Sequence, residues 1–345
     1  MTSKYGAETE KAKEFANHYN FRTEQQLIAF LMNQKLQSGL WNWNGFAIKW
    51  SCSGDSTNAP AILLIHGFGA NTNHWRFNQP VLAEATSTYA IDLLGFGQSD
   101  QPRARLGHEP EQDGSVKYGF DLWGQQVADF CRQTIKRPVL LIGNSIGGVV
   151  ALRAAEILEA KADCSPCIGV VLIDCAQRLM DDKQLATQAI WMGWIRPLLK
   201  TLVQQRWLST ILFRNAARPG LIRNVLQKAY PSQQNIDDAL VDLLFQPTRR
   251  TGASEAFRGF INLFNDHLAP DLMQELRISV DLIWGELDPW EPLAEAERWA
   301  NTLSCIKSLN VISGAGHCPH DEAPDEVNLL LLEHLSNAQA RTQSA

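Results

Sequence analysis

The sequence predicts an α/β protein with a mostly parallel central sheet flanked by helices, and three observations predict it. Near-continuous apolar runs recur at about 61–66, 88–93, 138–144, 168–174, 279–284 and 307–312. Strands that are apolar at every position, rather than at alternate ones, are covered on both faces. Helical patterns separate these runs, as over 146–158 and 325–335, so successive strands are joined by crossovers that lay helices on the sheet. Finally, four of the runs lead into turns carrying Ser, His, Asp or Gly-rich motifs, and ligands in such sheets sit at the C-terminal strand ends.

Taken in order, residues 1–40 form an N-terminal extension. Thr23-Glu24-Gln25-Gln26 reads as a capping box, and Leu27, Ile28, Leu31 and Leu36 repeat at helical spacing, which predicts a helix docked on the core. The segment is not notably basic, which disfavours a membrane-surface helix. Residues 41–52 alternate enough for an edge strand or hairpin. The core is assigned to 41–176 and 278–345. Between them, 177–277 shows helical periodicity without a clear strand and is rich in bulky groups such as Trp191, Met192, Trp194, Trp207, Phe245 and Phe260. It predicts a helical cap inserted after the sixth core strand. Most of these groups serve the cap's own packing, but an apolar roof over the site suits a large hydrophobic acyl or alcohol group better than a sugar.

Composition bounds the function. The chain has 345 residues, 45% of them hydrophobic and 20% charged, with a formal net charge of −6. That balance gives no basic footprint for nucleic acid. Seven cysteines, several in apolar runs, point to reduced thiols rather than a disulfide framework. Cys164-Ser165-Pro166-Cys167 is a lone C-x-x-C without a second pair, and no metal site is assigned. No apolar run reaches the roughly 18 residues of a membrane span, and no apolar signal core opens the chain. The expectation is a cytoplasmic protein.

The chemistry starts at Gly143-Asn144-Ser145-Ile146-Gly147, where an apolar strand runs into a helix. A serine hydroxyl is a weak nucleophile unless held exposed beside a base. A sharp strand-to-helix turn of the form G-x-S-x-G exposes it, with glycines where side chains would crowd the turn, and the new helix favours negative charge at its N-terminus. The partners follow in the order such an elbow requires. Trp284-Gly285-Glu286-Leu287-Asp288 carries acids after a strand, and Ser313-Gly314-Ala315-Gly316-His317 presents a histidine after the next. Ser145 is therefore the expected nucleophile, His317 the base, and Asp288 the acid that holds the imidazole. Asp174, at the end of the 168–174 run, competes with Asp288, as does Glu286; the Gly-x-x-Asp spacing favours Asp288. His320 competes with His317 and reads otherwise as a substrate contact or helix cap. Upstream, Ile65-His66-Gly67-Phe68-Gly69 ends a strand in a His-Gly turn. The backbone N–H groups of Phe68 and Ile146 are the expected oxyanion donors, with His66 structural. His18, His108, His267 and His334 have no partner motif. This chemistry needs no cofactor.

These stretches resemble the α/β-hydrolase superfamily across about 45–176 and 278–336. Within it they look most like the pheophytinase and chlorophyll dephytylase group of plants and cyanobacteria. The resemblance rests on His66-Gly67-Phe68-Gly69-Ala70 with His74-Trp75-Arg76, Asp92-Leu93-Leu94-Gly95-Phe96-Gly97, the Ser145 elbow, Asp288-Pro289-Trp290 and Gly316-His317-Cys318-Pro319-His320-Asp321-Glu322. It implies an α/β-hydrolase fold, a triad of Ser145, Asp288 and His317, and hydrolysis of the phytyl ester of a tetrapyrrole pigment; it does not extend to 1–40 or the cap. Plant members carry a plastid transit peptide, and the lack of such a pattern here points to a bacterial, cyanobacterial-type source. Serine at 145 disfavours the dehalogenases and epoxide hydrolases of this fold, which use a carboxylate nucleophile. Carbon–carbon hydrolases share the elbow but usually carry a tryptophan in the histidine loop, absent here. Cofactor-free haloperoxidase-like activity and a ligand-binding homologue with little turnover complete the alternatives.

Overall fold

The structure, a computed structural model, describes residues 36–56, 59–160, 167–177 and 205–343. Its main sheet has eight strands: β1 (Gln37–Trp43), β2 (Phe46–Ser53), β3 (Ala61–Ile65), β4 (Thr88–Ile91), β7 (Val139–Asn144), β8 (Cys167–Ile173), β9 (Val280–Gly285) and β10 (Ile306–Ile312), ordered β1-β2-β4-β3-β7-β8-β9-β10. From β4 to β10 every neighbouring pair is parallel, while β2 pairs antiparallel with both β1 and β4. Two short strands, β5 (Arg103–Ala104) and β6 (Ser115–Val116), form a separate ladder.

Burial explains the apolar runs. Every residue of β3, β7, β8 and β9 is buried, whereas the edge strand β10 is mostly half-exposed. The pleat splits these strands between two cores, because successive side chains point to opposite faces. Leu63 and Ile65 join one core with α1 (Phe120–Phe130) and α2 (Ile146–Glu159), while Ile62 and Leu64 join the other with α9 (Pro324–Gln343). Between β8 and β9, the described part of the chain is helical: α3 (Arg206–Ala216), α4 (Pro219–Ala229), α5 (Asp238–Phe245), α6 (Ala253–Gly259) and α7 (Ala269–Glu275). This excursion leaves after the sixth strand of the main sheet. The helix α8 (Leu293–Thr302) connects β9 to β10.

One boundary needs correction. The helical extension assigned to 1–40 does not reach residue 40, because Gln37–Trp43 is a strand whose Gln37 and Leu40 pair with Cys52 and Lys49. Leu36 and Leu40, both exposed, are four apart, a spacing that suits a helix face and an alternating strand alike. The capping box and Leu27, Ile28 and Leu31 lie outside the described residues, as do Cys164 and Trp191, Met192 and Trp194. Among the described residues no helix is long and apolar enough to cross a membrane.

Leu172, fully buried in β8, tests the core. Leu172→Ala removes side-chain contacts that the sheet cannot close over, and the expected loss is about 2–5 kcal/mol of unfolding free energy, read by denaturant titration of tryptophan fluorescence.

Candidate active site

The elbow shows why its sequence is so constrained. Ser145 sits at φ 55°, ψ −124°, a region that costs a non-glycine residue energy and persists only where the surroundings enforce it. They do so here through hydrogen bonds on both sides. The Ser145 amide donates to the Ile173 carbonyl at 3.0 Å, and the Ser145 carbonyl accepts from the amides of Gly148 (3.0 Å) and Ala176 (3.1 Å). A methyl group on Gly143 would run into the Gly147 carbonyl, and one on Gly147 into the carbonyls of Ile65 and His66. A Cβ at Gly67 would lie 3.2 Å from the Ser145 Cβ, so the His-Gly turn packs directly on the serine. Ser145 is half-buried, and its hydroxyl makes no hydrogen bond among the described residues.

The two expected oxyanion amides are free and oriented. Among the described residues neither Phe68 N nor Ile146 N donates to a backbone carbonyl. His66 is buried, with Nδ1 donating to the Gly67 carbonyl (2.7 Å) and Nε2 accepting from Leu93 N (3.0 Å). In a planar trans peptide, fixing the Gly67 carbonyl also fixes the opposite direction of the Phe68 N–H. The bonds to the Ser145 carbonyl orient Ile146 N–H in the same way. His66 is thus structural, as its sequence position suggests.

Asp288 and His317 meet: His317 Nδ1 donates to Asp288 Oδ2 at 2.7 Å. The Asp288 side chain is wholly inaccessible and that of His317 nearly so. Asp288 Oδ1 accepts from the amides of Trp290 (2.8 Å) and Glu291 (3.1 Å). Burial pushes the Asp288 carboxyl up, but the hydrogen bond and charge of His317, with donors from Asp174 and Trp290, outweigh it and hold Asp288 below its ordinary value. Neither rival acid bonds the imidazole among the described residues. Glu286 accepts from Ser313 Oγ and Gly314 N, and Asp174 Oδ1 accepts from Gly285 N at 3.0 Å. Asn144, which the sequence reading did not single out, bridges the elbow to the histidine loop: its Nδ2 donates to the His317 carbonyl (3.1 Å) and the Ile173 carbonyl (3.2 Å). The Trp290 ring stands edge-on to the His317 imidazole, centroids 4.8 Å apart, and Phe68 packs on Phe260 at 4.8 Å.

Residues 62–328 match the model of a family described as "Alpha/beta hydrolase family". The chain belongs to that family. Among curated relatives, the hydrolase is 27% identical over 312 residues to "Pheophytinase, chloroplastic" of Arabidopsis thaliana, covering 82% of this chain and 63% of the plant protein. It is 23% identical over 305 residues to "Epoxide hydrolase 3" of Xenopus tropicalis, covering 85% of this chain and 75% of that protein. Among solved structures it resembles the serine hydrolase CarC, involved in carbazole degradation, with a TM-score of 0.65 at 17% identity over 87% of this chain and 99% of that one.

In this hydrolase the histidine loop is seated on the helices between β8 and β9. The His317 amide donates to the Ala229 carbonyl (2.8 Å), and buried Glu322 accepts from Gly316 N (2.6 Å) and Ser232 N (2.8 Å). Arg76 donates to Asp321 Oδ1 (2.8 Å) and pairs with Asp237 (3.1 Å), and Tyr230 OH donates to Asp321 Oδ2 (3.0 Å). The Tyr230 hydroxyl also bonds His74 Nε2 at 2.9 Å, and burial lowers the His74 pKa to about 4. By its place in the sequence His320 competes with His317, or serves as a substrate contact or helix cap. The structure corrects this: His320 is fully buried, its ring nitrogens have no hydrogen-bond partner among the described residues, and it packs on Trp75 at 4.4 Å. A ring buried among aromatics without donors or acceptors is held neutral, and burial drives its pKa well down.

Asp321 is the hub of that seat and is fully buried. Asp321→Ala takes the buried partner from the mostly buried Arg76 guanidinium and leaves it the exposed Asp237, and the expected cost is about 3 kcal/mol of stability, measured by urea unfolding.

Proposed function

We propose that this hydrolase is a serine carboxylester hydrolase with Ser145 as nucleophile, His317 as general base and Asp288 as the acid that orients it. The observation that carries the reading is the 2.7 Å bond from His317 Nδ1 to the buried Asp288 carboxylate, in a loop that Asn144 ties to the Ser145 elbow. With Nδ1 committed to Asp288, Nε2 keeps its lone pair for a proton. Ser145 Oγ attacks the acyl carbon, its proton passes to Nε2, and the tetrahedral oxyanion rests on the amides of Phe68 and Ile146. Collapse of that intermediate breaks the ester C–O bond, and the imidazolium returns the proton to the departing alcohol. Water, deprotonated by His317, then releases the acid from the acyl-serine. Serine at 145 separates this chemistry from that of epoxide hydrolases, which open their substrate with a carboxylate.

The narrower reading is a bulky hydrophobic ester, the phytyl ester of a chlorophyll- or pheophytin-type pigment, cleaved in a cytoplasmic setting. It is supported by the resemblance to the pheophytinase group and by the aromatic surfaces of Phe68, Phe260 and Trp290 beside the site, where Phe68 and Trp290 are 38% and 40% exposed.

Ser145→Ala lowers kcat by about ten-thousandfold or more and abolishes labelling by a fluorophosphonate probe, with unchanged circular dichroism. A variant retaining wild-type esterase rate removes Ser145 from the mechanism. Incubation of wild type with pheophytin and chlorophyll releases phytol, read by gas chromatography; brisk hydrolysis of short esters without phytol leaves the ester-hydrolase reading and overturns the pigment.

A further inference from the structure

Asp174 is a buried carboxyl that the triad does not use. It ends β8, is fully buried and sits at φ 42°. Its Oδ1 accepts from Gly285 N, its carboxyl lies alongside that of Asp288, and its Oδ2 has no hydrogen-bond partner among the described residues. The titratable groups around it are Asp288 and Glu291 from the β9 turn and Cys318 from the histidine loop, with His317 bound to Asp288 on the far side. Apart from the imidazole, these groups are neutral or acidic, so none of them, among the described residues, supplies a cation to compensate a second negative charge. Two adjacent carboxylates in a site closed to water cannot both stay ionised.

We propose that Asp174 is held as a neutral carboxylic acid whose hydroxyl donates to the Asp288 carboxylate, so that the site carries an acid–carboxylate–imidazole chain in which Asp174 is a positioning residue. This rests on the triad reading above. The two acids take opposite states because their donors differ. Asp288 collects the imidazole and two loop amides, whereas Asp174 has one amide and an oxygen without a donor. Burial and the neighbouring Asp288 both push Asp174 well above the ordinary aspartate range, while Asp288 is held low. The proton on Asp174 shares the Asp288 charge without neutralising it, leaving a full carboxylate to face the imidazolium.

Asparagine decides the matter, since its amide donates to Asp288 as the acid does and its oxygen still accepts from Gly285. Asp174→Ala is expected to lower kcat by roughly tenfold or more through loss of a hydrogen bond to a charged group, to leave KM near its original value, and to move the acidic limb of the kcat/KM profile to higher pH. Asp174→Asn restores most of that loss. A second measurement does not depend on activity. A carboxyl whose folded pKa is raised is protonated in both states at low pH. As pH climbs past about 4 only the unfolded chain ionises, so the folded state loses stability with rising pH until the folded pKa is reached. Asp174→Asn removes that slope, so its Tm gain over wild type is absent near pH 4 and grows toward pH 8. An Asp174→Asn variant as slow as Asp174→Ala, or one less stable than wild type at pH 8, overturns the proposal. Absence of fluorophosphonate labelling of the wild type overturns the serine-hydrolase reading instead, and leaves the stability comparison standing.

Discussion

The organising constraint of this structure is a single strained residue. Ser145 occupies backbone space that a side-chain-bearing residue avoids, and the surrounding architecture is what makes that tolerable. The neighbouring parallel strand β8 and the turn that follows it bring the carbonyl of Ile173 and the amide of Ala176 to its backbone. Glycines at 67, 143 and 147 clear the space that the turn needs. The Ile146 amide, at the start of α2, and the Phe68 amide have no backbone acceptor among the described residues. Exposure of the hydroxyl and availability of the Ile146 donor both follow from forcing a strand to become a helix within one residue, while His66, by fixing the Gly67 carbonyl, sets the direction of the Phe68 donor.

Electrostatics then set the division of labour among the acids. Three carboxyls in this region were plausible triad members on sequence grounds, and the structure gives each a different set of donors. Glu286 is exposed and its Oε2 accepts both bonds from the Ser313–Gly314 turn. Asp174 faces one backbone amide. Asp288 gathers two amides and the imidazole in complete burial. In a poorly polarisable interior, the count of donors decides which carboxyl keeps its charge. Spacing along the chain favours Asp288, and the imidazole of His317 pairs with that residue.

Much of the architecture was legible because buried parallel strands are written as unbroken apolar runs, as in Val170-Val171-Leu172-Ile173, and glycine-bound turns leave a local signature. What local pattern could not show is contact between segments distant in sequence. Nothing near Asn144 announces that its amide reaches the His317 carbonyl. Arg76, Tyr230, Asp237 and Asp321 come from three separate regions and form one cluster. His320, an attractive site residue by its neighbours, turned out to be a ring packed on Trp75 because a fully buried position with no partner selects for shape rather than for basicity. At the amino end, two leucines four apart suited a helix and a strand equally, and pairing with β2 chose the strand.

The seating of the histidine loop on residues 229–237 has an implication for how such an enzyme diversifies. The helices between β8 and β9 also hold, through Ala229 and Ser232, the backbone that carries His317. A graft that exchanges this helical block to obtain a new specificity must therefore import an equivalent cradle at the α4–α5 connection. Otherwise the chimera would inherit a new pocket with a wandering imidazole, and its defect would surface in turnover rather than in affinity.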